Sequence, residues 1–65
     1  MLIAKNLWEK DQMRKLTNVA DCEAQIARCT HGAEAAPTIP KKAEWFRKLE
    51  FLRKLRHQLI GGRGL

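Results

Sequence analysis

Pro40-Lys-Lys-Ala-Glu-Trp-Phe-Arg-Lys-Leu-Glu-Phe-Leu-Arg-Lys-Leu-Arg-His-Gln-Leu-Ile60 decides the fold. Trp45, Leu49, Leu52, Leu55 and Leu59 recur at steps of three and four. That spacing places them on one stripe of a 3.6-residue helix. Arg47, Arg53 and Lys54 fall on the opposite side. A helix both apolar and basic buries one face and offers the other to something acidic. The stretch predicts a helix over residues 39–60. Thr38 is its candidate N-cap, and Pro40 is tolerated in a first helical turn. Glu44–Lys48 and Glu50–Lys54 are i,i+4 pairs of favourable orientation, each worth roughly 0.2–0.5 kcal/mol. Gly61-Gly62 ends the helix, and residues 61–65 read as a tail.

Outward from this stretch, residues 2–31 contain neither Gly nor Pro. One long first helix is therefore expected within residues 3–31. Asn6, with Glu9 three residues later, has the spacing of an N-terminal cap. A start nearer Leu2 fits the sequence equally well. Val19, Cys22, Ile26 and Cys29 form one apolar seam. Met13, Leu16, Ala20 and Ala27 form a second beside it. Thr30-His31-Gly32 reads as the helix end, with Gly32 as a left-handed cap and His31 near the negative pole of the dipole. Residues 32–38 become the linker, with Pro37 as breaker. The expected fold is all-α: a single domain over residues 1–65, built as a two-helix antiparallel hairpin. Its expected core is Leu16, Val19, Ile26, Trp45, Leu49, Leu52, Leu55 and Leu59.

A chain of 65 residues holds one domain. Chains this short are marginal alone and commonly lean on a disulfide, a metal or another subunit. A homodimer, or folding against a larger partner, follows as an expectation. The net charge of +6 is unevenly placed. Lys5, Lys10, Arg14, Lys15 and Arg28 balance Glu9, Asp11, Asp21, Glu23 and Glu34 in residues 1–36. The whole excess lies in residues 37–65, where only Glu44 and Glu50 are acidic. Charge concentrated on one element suggests an electrostatic docking surface. A merely solvated helix face is the plainer explanation of the same charges.

Met1-Leu2-Ile3-Ala4 is followed at once by Lys5 and Asn6, so no signal-peptide core is visible. No run approaches the ~20 apolar residues that span a bilayer. The default compartment is the cytoplasm. Cys22 and Cys29 lie about 10.5 Å apart along a continuous helix, at 1.5 Å per residue. That exceeds the Cα spacing of a disulfide, and a zinc site would still lack converging ligands. Neither a metal nor a cofactor is expected. His31 and His57 have no carboxylate arranged to orient them as a base, and no phosphate loop or nucleophile set can be assembled. An enzyme is not expected.

Two binding readings remain. In the first, the protein is a small regulator or adaptor that holds a larger acidic protein through a basic helix flanked by aromatics. Phe46, Arg47, Glu50, Phe51, Arg53, Lys54 and His57 are then the contact residues, because a two-helix hairpin cannot cover both phenylalanines as well as Trp45. In the second, Lys41, Lys42, Arg47, Lys48, Arg53, Lys54 and Arg56 neutralise the phosphates of RNA or DNA. The connection is too long for a helix-turn-helix reader, so that binding would be to backbone or structured RNA. Membrane-surface binding by the same helix ranks third, since the neutral first half offers its leucine stripe an internal partner.

Overall fold

The structure is a computed structural model, and it describes residues 2–61. Three helices follow one another: α1 Leu7–Lys15, α2 Val19–Ala35 and α3 Ile39–Gly61. Among the described residues there is no strand. The all-α class and the pairing of α2 with α3 agree with the sequence reading. The two-helix hairpin does not, because the first helix is interrupted at residues 16–18.

Asn18 causes the interruption. Its backbone is extended (φ −140, ψ 165), and its side-chain oxygen accepts the Asp21 N–H at 2.8 Å. Its amide also donates to the Asp21 carboxylate at 3.1 Å. An N-cap satisfies backbone donors that the first turn leaves open, so a new helix begins there. Asn6 does the same for α1, accepting from Glu9 N–H at 2.8 Å. Glu9 reaches back to the Lys5 N–H at 2.6 Å. At the other end of α1, Asp11 pairs with Lys15 at 3.0 Å and with Arg14 at 3.4 Å. The Lys15 hydrogen bond, helped by Arg14, holds the Asp11 carboxyl below its ordinary range.

α2 runs past Gly32 to Ala35, so the expected end at residues 30–32 is too early. Pro37 sets the true boundary. It forces Ala36 out of the helical region, to φ −65 and ψ 128. Gly32 is not a left-handed cap, since no described glycine has positive φ. Its lack of a side chain serves packing instead: a Cβ there would lie 2.7 Å from the Trp45 ring. The linker shrinks to residues 36–38. Thr38 caps α3, its carbonyl accepting from Lys42 N–H at 3.0 Å and its hydroxyl from Lys41 N–H at 3.4 Å. The Lys42 ammonium donates to Ala33 C=O at 3.2 Å, placing a cation at the negative end of α2.

The core lies between α2 and α3. Cys22, Cys29 and Ala33 face Leu49, Leu52 and Leu55, with Ile26, Trp45 and Leu59 half-buried beside them. Small residues on one helix let the leucines of the other approach closely. Each buried leucine contributes roughly 1.5–3 kcal/mol. The Cys22 thiol donates to the Leu52 carbonyl at 3.3 Å, and both cysteines are free. Glu23 and Arg56 pair across the same two helices at 3.4 Å. Leu2, Trp8, Met13 and Leu16 bring the N-terminal segment and α1 onto this core. The Leu2 N–H donates to the Gln58 side chain at 3.2 Å, and Trp8 meets the edge of Phe51 with centroids 6.0 Å apart. Ala20 and Ala27 of the expected second seam are exposed, because α2 turns Cys22, Cys29 and Ala33 towards α3. Val19 is half-buried and lies outside the core cluster. Of the expected tail, Gly61 is instead the last residue of α3, and residues 62–65 lie outside the described residues.

Candidate functional site

The inward rotation of α3 is set by Leu49, Phe51, Leu52 and Leu55, all buried. Its outward face is then fixed by helical geometry. Ile39, Ala43, Phe46, Glu50, Arg53, His57 and Ile60 alternate steps of four and three, and all seven are exposed. Phe46 keeps 57% of its surface in solvent, Ile60 57% and Ile39 81%. Arg47 and Lys54 flank this stripe on the side of α1 and the N-terminal segment. Lys54 reaches Glu50 at 3.4 Å.

Phe51 leaves the site. It is 6% exposed and covered by Trp8, a contact made when α1 folds back on α3. The expectation of two waiting phenylalanines assumed that only two helices were available to cover them. Phe46, Arg47, Glu50, Arg53, Lys54 and His57 stay together on the outer surface.

The wider cationic set is divided. Lys48 lies over two indole rings, 5.3 Å from the Trp8 centroid and 4.8 Å from that of Trp45. This cation–π arrangement ties α1 to α3, and it replaces the expected Glu44–Lys48 pair. Lys42 is engaged with Ala33 C=O, Arg56 with Glu23 and Lys54 with Glu50. Lys41, Arg47 and Arg53 remain exposed without such a bond among the described residues.

Two shallow depressions border the site. One, of about 340 Å³, runs between Leu2, Ile3 and Asn6 on one side and Arg47, Glu50 and Lys54 on the other. The second, of about 690 Å³, lies between Leu7 and Trp8 and the α3 residues Glu44, Arg47 and Lys48. Arg47 stands on the ridge between them. Among the described residues, no group of three or more His, Cys, Asp or Glu is placed to hold a metal. His31 stands apart on α2, 3.8 Å from Glu34.

Ile39, Ala43 and Ile60 were not legible as part of the site from the leucine stripe alone. The signal was present in the 39-43-46-50-53-57-60 spacing, a second heptad-like series on the same helix. Fold and site together define a small three-helix protein with one mixed apolar and basic helix face. No family model, curated protein or solved structure matches the chain. No described helix is long and apolar enough to cross a membrane.

Proposed function

We propose that this protein is a small non-enzymatic regulator or adaptor, acting in the cytoplasm, that docks on a larger acidic protein through the outward face of α3. The observation that carries the reading is Phe46, 57% exposed in the middle of α3 with Arg47 and Arg53 exposed on the same side of the helix. Aromatic and arginine side chains are the usual anchors of protein interfaces. A helix held from behind by leucines presents them with little ordering cost. The division of the cations favours this over phosphate binding. Lys42, Lys48, Lys54 and Arg56 already have intramolecular partners, so the described residues offer no continuous track of free cations for a nucleic-acid backbone.

Affinity capture from the source cell, with and without nuclease, tests the reading. The expected result is a protein that survives nuclease and is lost with Phe46→Ala or Arg53→Glu. His31→Ala, an exposed change on α2 apart from this face, should leave capture intact. If capture vanishes with nuclease and falls linearly on a log scale with salt, the target is nucleic acid and the proposal fails.

A further inference from the structure

The outward stripe of α3 is complementary to itself, and this holds whatever else binds there. We propose that it pairs with the same stripe of a second copy of this chain, antiparallel, about a two-fold axis near residues 51 and 52. A two-fold contact requires each residue to suit its opposite number in both directions. In this register Glu50 faces Arg53 of the second copy, and the ion pair occurs twice. Phe46 faces His57, and Ala43 faces Ile60. Every outward residue from Ala43 to Ile60 thereby gains a partner of matching chemistry: acid with base, ring with ring, small apolar with large.

Charge selects this arrangement. Sliding one copy by a heptad sets Glu50 against Phe46 or against Ile60. A parallel pair sets Glu50 against Glu50 and Arg53 against Arg53. The paired stretch of 17 steps runs about 25 Å, at 1.5 Å per residue. It lies on a helix already braced from behind, so pairing orders little new structure. Exposure supports the occupant: Phe46 and Ile60 are each 57% exposed in the single chain. Arg47 and Lys54 line one rim of the seam in both copies. Their mutual repulsion keeps the association weak and dependent on concentration. A second copy and a protein partner would compete for Phe46.

Sedimentation velocity of the full chain over a concentration series tests the pairing. The mass should rise from the 7.5 kDa of one chain towards twice that value. Glu50→Arg and Arg53→Glu should each weaken association about tenfold or more, since each replaces attraction by repulsion at two places. The double change Glu50→Arg/Arg53→Glu should restore it. Arg53→Glu is the sharper probe, because it lowers the net positive charge and would strengthen any association governed by general repulsion. Both residues are exposed, and circular dichroism verifies that each variant stays helical. A chain that stays monomeric even at about 1 mM overturns the proposal. So does a double variant that associates no better than the single ones. A monomer that still captures a Phe46-dependent partner would overturn the pairing alone and leave the adaptor reading standing.

Discussion

At the scale of single residues, Gly32 and Trp45 are the most tightly constrained pair. Helix propensity alone says that Gly32→Ala should stabilise α2 by about 1 kcal/mol. Packing says otherwise, because the added carbon would lie 2.7 Å from a rigid indole. Overpacking of that kind costs about 1–3 kcal/mol. The expected outcome is a net loss of stability, read as a lower urea midpoint. Trp45→Leu should abolish the conflict, so that Gly32→Ala becomes neutral or favourable in that background. A stabilising Gly32→Ala in the natural background would disprove the close approach. The sequence could show that Gly32 stood near a helix end, but a glycine that makes room for another helix's ring is visible only once both helices are placed. Phe51 is similar. Its position on α3 was plain from the pattern, whereas its burial depends on Trp8, 43 positions away in the chain.

At the scale of elements, the start of α3 was readable from Thr38 and Pro40, and its leucine stripe forms the core as expected. The break between α1 and α2 was also written in the chain. Asn6 with Glu9 and Asn18 with Asp21 share one spacing, and each asparagine accepts an N–H at 2.8 Å. Absence of Gly and Pro permits a long helix but does not enforce one. A side chain that caps a new first turn outweighs that permission. Asn18→Ala should therefore cost about 1 kcal/mol of stability, with no loss of core contacts. The same substitution should raise helicity at residues 16–18, seen as helical carbon chemical shifts there. Retained stability and unchanged shifts at residues 16–18 would mean that tertiary packing, not the cap, makes the break.

At the scale of the whole molecule, burial raises both the Cys22 and Cys29 thiols above their usual pKa of 9.0. A group whose folded pKa is raised holds its full stabilising effect below the unfolded value. Above about pH 9 the unfolded chain gains from ionising while the folded chain does not. Stability should therefore decline as pH rises past that point. Urea midpoints at about pH 8 and about pH 10 measure the decline, and a Cys22→Ala/Cys29→Ala variant should show a smaller one. An equal decline in both would show that the thiols are not its cause. The cysteine seam was legible in the sequence, and so was the concentration of charge in residues 37–65. Which cations are free was not, because the claims on Lys48 by two indoles and on Arg56 by Glu23 are tertiary contacts.

The chain has two tryptophans, and the fold stations them at different junctions. Trp8 touches α3 only if α1 has docked, while Trp45 packs half-buried against Gly32 where α2 meets α3. Lys48 stands beside both rings. The molecule thus carries a natural fluorophore at each of its two helix seams. Emission from one ring follows closure of the hairpin and emission from the other follows arrival of the first helix, so the order of assembly is open to optical measurement without an added dye.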